Sequence, residues 1–248
     1  MGGLARRAAL IDSRKTVPGK GTVRLLIAGP YELLDIEEGK SPAAKASKVV
    51  GEAFAALGYD AMMLTPGDVA VLGGTLPKLL VPWAMTPGKV ATRTLNRQGL
   101  SIGLVFFPEQ GKPGERPPDK DMEDVQAEAL RLRPKVDVVI GVSPWGAEAE
   151  QIFLDRFSTA PAFDVLLGGG FGQGNRGKLA AGGATAWLRP YTKGKAVHVV
   201  RVFSTLKRQP QAQAKSEADV RFEVIALDEK ITADRAMDLL LSPARGTY

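Results

Sequence analysis

The stretch FDVLLGGGFGQGNRGKL, residues 163–179, has residue types that hold phosphate in other proteins. Gly172-Gln-Gly-Asn-Arg-Gly177-Lys178 satisfies the spacing G-x-x-x-x-G-K, in which loop amides and a lysine surround a phosphate chain. That chemistry also needs Ser or Thr after the lysine, for magnesium, and a helix whose N-terminal amides face the anion. Leu179 follows here, then Ala-Ala-Gly-Gly, so neither requirement is met. Gly172, Gly174 and Gly177 also match G-x-G-x-x-G, again with no helix behind them. The plainer alternative is a glycine-rich turn that leaves a strand and holds no ligand.

Few other groups could do chemistry. The sequence has no cysteine, which excludes disulfides, thiolate zinc sites and a cysteine nucleophile. Its one histidine, His198, stands in the alternating segment KAVHVVRV, which reads as a strand. One histidine cannot build a multi-histidine metal site. Asp35, Glu37, Glu38 and Asp68 offer oxygen ligands for weak binding of a hard cation; the alternative is solvated surface carboxylates. The net charge of +6 is spread along the chain, and no basic, aromatic-interleaved motif appears, so nucleic acid is not an expected partner. No apolar run approaches the roughly 20 residues of a membrane helix. The opening MGGLARRAALIDSRK has an Arg-Arg pair but no apolar region after it, unlike an intact signal peptide. The chain is therefore expected to be cytoplasmic, or to have lost a leader.

These residues must be positioned by a regular scaffold, and the periodicity supplies one. Residues 1–21 read as a loose basic arm and 22–248 as a single domain. TVRLLIAG is a buried strand ending at Gly29-Pro30. Ala46, Val49, Val50, Ala53, Phe54 and Leu57 have helical spacing, with Gly58 as the stop. YDAMMLTPGD is a short strand and turn, and TLPKLLVPWA a helical turn broken by Pro82. LSIGLVFFP, VDVVIGVS and FDVLLGGG are apolar throughout, as parallel strands covered on both faces are. A polar Pro/Gly loop fills 109–120. DMEDVQAEALRLRPK and PWGAEAEQIFLDRFS are helical. Residues 177–205 give two or three antiparallel strands, KRQPQAQAKSEAD a connector, VRFEVIAL a last strand and TADRAMDLLL a last helix with Thr232 as its N-cap. The fold class is α/β, with layered mixed β-sheets flanked by helices.

The order VDVVIGVSPWG, helix, FDVLLGGGFG, then GKLAAGGATAWLRPYTKG resembles the metallophosphoesterase domain of bacterial 5′-nucleotidases and UDP-sugar hydrolases. Upstream, FAALGYDAMMLTPGD is similar to that family's Asn-x-Leu-Gly-Tyr-Asp-Ala lead-in to Gly-Asn-His-Glu, and NRQGLSIGLVFFP follows its outline of a polar turn and a strand. The closing RFEVIALDEKITADRAMDLLL fits the end of the domain, so the resemblance covers roughly residues 22–241. It implies a calcineurin-like phosphoesterase-type sandwich. It also implies an exported or periplasmic protein if a leader has been removed. The second, nucleotide-binding domain of those enzymes has no room in this length.

Enzymes of that family hold two metals with Asp, Asn and His side chains on loops after strands, and the metals orient a water and stabilise the leaving oxygen. The resemblance departs from the family at those loops. The Ser-His-x-Gly position reads Ser143-Pro144-Trp145-Gly146, and Gly-His-x-His reads Gly169-Gly170-Phe171-Gly172. Gly-Asn-His-Glu reads Thr65-Pro66-Gly67-Asp68, and the first Asp-x-His falls near Gly29-Pro30-Tyr31-Glu32. The expected reading is therefore a retained scaffold with no catalytic residues, no bound metal and no cofactor. A binding surface at the strand ends would comprise Ser143, Trp145, Gly170, Phe171, Gly172, Asn175, Arg176 and Lys178. Trp145 and Phe171 offer stacking faces, Arg176 and Lys178 anion contacts, for an anionic small molecule or a partner protein. The alternative function is a phosphoester hydrolase with a rebuilt, non-histidine site that uses carboxylates and Lys178.

Overall fold

The computed structural model describes residues 3–15, 22–33, 44–82, 84–109, 115–191, 194–203 and 209–244, without the side chains of 44–47 and 244. The carboxylates Asp35, Glu37 and Glu38 lie outside the described residues. Two compact units divide the chain: residues 1–86, 191–197 and 225–248 form the first, and 87–190 with 198–224 form the second.

The first unit begins with α1 (Leu4–Ser13), β1 (Ile27–Ala28), α2 (Ala44–Ala56), β2 (Ala61–Met63), α3 (Pro66–Val71) and β3 (Ala84–Met85). Its three short strands run parallel in the order β1-β2-β3, with Ile27 opposite Ala61 and Met62 opposite Ala84. Helix α2 follows its apolar spacing, burying Val50, Ala53 and Phe54, and Gly58 ends it at φ 68°. The loose arm expected over 1–21 is corrected in part, because residues 4–13 are helical. Ala5, Leu10 and Ile11 of α1 are buried, and Ala5 and Ile11 join the cluster of Val50, Phe54, Tyr59 and Met62. The Arg-Arg pair hides this apolar stripe in the sequence. Arg7 is nonetheless buried, because it donates to Glu32 (2.8 Å) and to the Tyr59 hydroxyl (3.0 Å).

The second unit holds β4 (Ala91–Arg97), β5 (Leu100–Phe106), α4 (Asp119–Leu132), β6 (Val138–Ser143), α5 (Ala147–Arg156), β7 (Val165–Gly168), β8 (Asn175–Ala180) and β9 (Thr185–Arg189). They form a six-stranded sheet in the order β4-β5-β6-β7-β9-β8. The four central strands are mutually parallel and the two edges antiparallel. Gln98 and Gly99, both at positive φ, make the tight β4–β5 turn. Burial on both faces explains the apolar runs of β5 and β6. Phe107, Trp145, Phe153 and Phe163 pack ring on ring beneath the sheet, at centroid distances from 4.6 to 5.9 Å.

Strands β10 (Ala196–Val202) and β11 (Val220–Ala226) form a separate two-stranded sheet, and each carries residues of both units. Amides of Phe203 and Leu227 donate to the carbonyls of Asp219 and Lys195, which sets an antiparallel register. His198 lies in β10, in the strand its alternation predicts. The chain returns to the first unit in α6 (Arg235–Leu241). Asp234, not Thr232, caps this helix by accepting from Met237 N (2.7 Å). The whole is a mixed α/β architecture with several sheets flanked by helices, as the sequence predicts. Among the described residues no helix is long and apolar enough to cross a membrane.

Candidate functional site

In the first unit, the loops after β1 and β2 converge on one carboxylate. Thr65 caps α3, and Asp68 completes a capping box with it. Asp68 reaches further. Its Oδ1 accepts from Leu33 N (2.9 Å), and its Oδ2 accepts from Tyr31 N, Thr65 N and Thr65 Oγ1 (2.9 Å each). The side chain is fully buried. Burial pushes its pKa up, against the pull of these donors. Tyr31 is held at φ 60°, a costly conformation for a side chain this large, and its amide points at the carboxylate. Four donors leave Asp68 poorly placed to serve a cation.

In the second unit, β6, β7 and β9 are parallel, so Ser143, Gly168 and Arg189 finish at the same end of the sheet. The loops that leave this end are zipped together. Gly146 N donates to Gly169 O (3.0 Å), and Ala147 N, the first amide of α5, donates to Phe171 O (2.8 Å). A carbonyl therefore occupies the helix N-terminus that a phosphate would need. The glycines are required by this approach. A Cβ on Gly170 would stand 2.3 Å from the Pro144 carbonyl oxygen, and one on Gly172 would stand 2.7 Å from Ala147 Cβ. Both have positive φ, 77° and 98°.

Beneath this zipper lies an ion pair shielded from solvent. Glu150 of α5 is 0 % exposed and Arg189 of β9 is 2 % exposed, with Nη1 and Oε2 2.6 Å apart. Glu150 also accepts from Trp187 Nε1 (2.8 Å) and Gly169 N (3.1 Å). Arg189 donates to the carbonyls of Gly170 (3.0 Å), Phe171 (2.9 Å) and Gln173 (3.3 Å). The pair thus ties α5, β9 and the glycine loop together. Burial pushes the Glu150 carboxyl up, while Arg189 and the two N–H donors pull it back toward ionisation. A second buried cluster, Arg133, Asp164 and Lys215, anchors the connector at residues 209–219. Asp164 pairs with Arg133 and accepts from Val139 N (2.9 Å), while Arg133 reaches Gln209 O and Gln211 O.

The residues expected to form a binding surface separate into two groups. Ser143 is buried and its Oγ accepts from Trp145 N (3.2 Å). Trp145 is 5 % exposed, donates to Pro108 O (2.7 Å) and packs against Phe107 and Phe153. The stacking role expected of Trp145 is therefore corrected to core packing, because neighbouring rings cover it. Phe171, Gly172, Arg176 and Lys178 are exposed, with Gly170 and Asn175 half-buried beside them, along the glycine loop and the edge strand β8. Lys178 Nζ sits 4.6 Å over the Trp187 ring and donates to Gln151 Oε1 (3.2 Å). A strand, not a helix, follows the loop, so the nucleotide-loop spacing has no structural counterpart. Asn175 Oδ1 accepts from Gly177 N (2.9 Å), and Gly177 packs on Phe222, where a Cβ would be 2.0 Å from the ring.

Among the described residues no group of three or more His, Asp or Glu side chains could hold a metal ion. Comparison with solved structures gives the fold independently. A 5′-nucleotidase precursor from Thermus thermophilus superposes with a TM-score of 0.69 at 14 % identity, over 98 % of this chain and 52 % of that one. The fold is that of the 5′-nucleotidase-type metallophosphoesterases. Thermus thermophilus sulfate thiohydrolase SoxB (TM-score 0.66, 16 % identity) matches over 98 % of this chain and 46 % of its own. Haemophilus influenzae NAD nucleotidase (TM-score 0.63, 13 % identity) matches over 99 % and 54 %. The chain thus spans about half the length of these proteins. No protein-family model and no curated protein sequence matches it.

Sequence reasoning missed Glu150 and Arg189, which organise the site. A signal was present. Glu150 lies three and four residues before the buried Phe153 and Leu154, on the face of α5 that enters the core. Arg189 lies two residues after Trp187 in a fully buried strand, on the same face. Each is a charge at an apolar position of its element, and each answers the other.

Proposed function

We propose that this chain is a non-catalytic member of the 5′-nucleotidase-like group, acting as a binding or scaffold protein. One observation carries the reading: the strand-end loops are filled by their own carbonyls, glycines and the buried Glu150–Arg189 pair, where a hydrolytic centre needs open ligands. The exposed remainder of the loop, Phe171 and Gly172, and the charged β8 residues Arg176 and Lys178 form the surface through which it binds, beside Asn175. An aromatic face next to two cations suits an anionic small molecule or an acidic segment of a partner protein.

The test pairs two measurements on purified protein. Hydrolysis of AMP and of bis(p-nitrophenyl) phosphate is followed with added manganese, magnesium or zinc, and AMP binding is followed by calorimetry at two salt concentrations. Negligible turnover is expected, with any AMP binding weakened by salt and by the double change Arg176→Ala, Lys178→Ala. Metal-dependent turnover on the order of 1 per second, ordinary for an enzyme, would return the chain to the hydrolases.

A further inference from the structure

Two buried carboxylates do the same job, each inside its own unit. Asp68 gathers the loop after β1 to the loop after β2, through Tyr31 N, Leu33 N and Thr65. Glu150 gathers α5, the glycine loop and β9, through Gly169 N, Trp187 Nε1 and Arg189. In both places a polypeptide loop leaves a strand end with backbone groups that need partners, and in both places one anion supplies them. Those loops carry the four positions that the sequence resemblance sets opposite the family's metal-ligand motifs.

We infer that Asp68 and Glu150 are the cross-links of the strand-end loops, so that the described parts of these loops hold their shape without any cation. This rests on reading the chain as a phosphoesterase-fold member that lacks its ligand set. Three features argue for this. The carboxylates are already engaged: Asp68 takes four donors, and Glu150 takes two N–H groups and the charge of the Arg189 guanidinium. The space is gone: Gly170 is closed against the Pro144 carbonyl, so a side chain restored there would displace the loop. A fixed cation is supplied by the chain itself: Arg189 Nη2 donates to the carbonyls of Gly170 and Phe171.

The experiment is residue-resolved amide hydrogen exchange on the full chain, in the wild type and in Asp68→Asn and Glu150→Gln. Each change is nearly isosteric, and an amide NH2 cannot accept from all the donors that a carboxylate serves. In Asp68→Asn, exchange at Tyr31, Leu33 and Thr65 should accelerate on the order of tenfold or more, the response to losing about 1.4 kcal/mol of local protection. In Glu150→Gln the same should hold for Gly169. Core amides of β5 and β6 serve as the reference, so that global loosening is separated from local release. In the wild type a strong chelator should leave all these rates unchanged. Chelator-induced acceleration at the loop amides would overturn the inference, and so would unchanged loop exchange in both variants. Neither result depends on turnover, so a failure here is distinguishable from a failure of the proposed function.

Discussion

The sharpest energetic consequence concerns Glu150→Gln. The substitution keeps the shape and removes the charge opposite Arg189, whose side chain is 2 % exposed and 2.6 Å from the carboxylate. Breaking a buried pair on one side costs about 3–5 kcal/mol, because the remaining charge has neither water nor partner. Arg189 would keep its three carbonyl acceptors, which places the expected loss toward the lower end of that range. For a chain of this size each kcal/mol moves the melting point by roughly 2–4 °C, so the midpoint should fall by about 6–12 °C. The assay is urea unfolding followed by tryptophan fluorescence, with a thermal melt beside it. Trp187 is a direct reporter because its indole N–H donates to Glu150. A companion variant, Glu150→Met with Arg189→Met, leaves no lone buried charge and should be less destabilised than the sum of its single changes. A loss below about 1 kcal/mol in Glu150→Gln would refute the reasoning. It would mean that Glu150 is held protonated by its burial, since glutamine imitates the neutral acid, and that Arg189 already stands without a counter-charge.

Other perturbations separate the roles of neighbouring residues. Gly170→Ala, with its Cβ 2.3 Å from the Pro144 oxygen, should destabilise well beyond Gly182→Ala, which has positive φ but nothing within 4 Å; comparable losses in thermal melts would mean that φ alone matters. Lys178→Ala should cost about 0.5–1 kcal/mol through its lost contact with the Trp187 ring, whereas Arg176→Ala should leave the urea midpoint unchanged. Burial lowers the pKa of His198 below its ordinary 6.5, so the unfolded chain binds the proton more readily. Stability should therefore decline as pH falls from 6.5 toward the folded value, and His198→Asn should remove that part of the pH dependence; identical profiles would contradict it.

The scaffold is legible in the sequence because burial writes itself into periodicity. VDVVIGVS and FDVLLGG are apolar at nearly every position because β6 and β7 are covered on both faces, and a half-exposed strand would alternate instead. The departures come where a charged residue breaks the period for a reason located elsewhere in the chain. Arg7 disguises α1 as a loose arm, yet Tyr59 and Glu32, distant in sequence, make its burial tolerable. Trp145 reads as a stacking face because a tryptophan after a strand is compatible with either a surface or a core; only the approach of Phe107 and Phe153 decides for the core. The same logic explains why the glycines stand out in the sequence and their purpose does not. A run of glycine announces a close approach of backbones, but not which backbone arrives. Here it is the Pro144–Ala147 turn, drawn in by Gly146 N and Ala147 N. Once that turn is in place the Gly170 carbonyl requires a donor, and Arg189 supplies it while adding a second donor to the Phe171 carbonyl beside Ala147 N. Arg189 in turn requires an anion, which is Glu150. The glycines, the arginine and the glutamate are therefore one solution to one hydrogen-bonding problem, and changing any of them alone should expose the others.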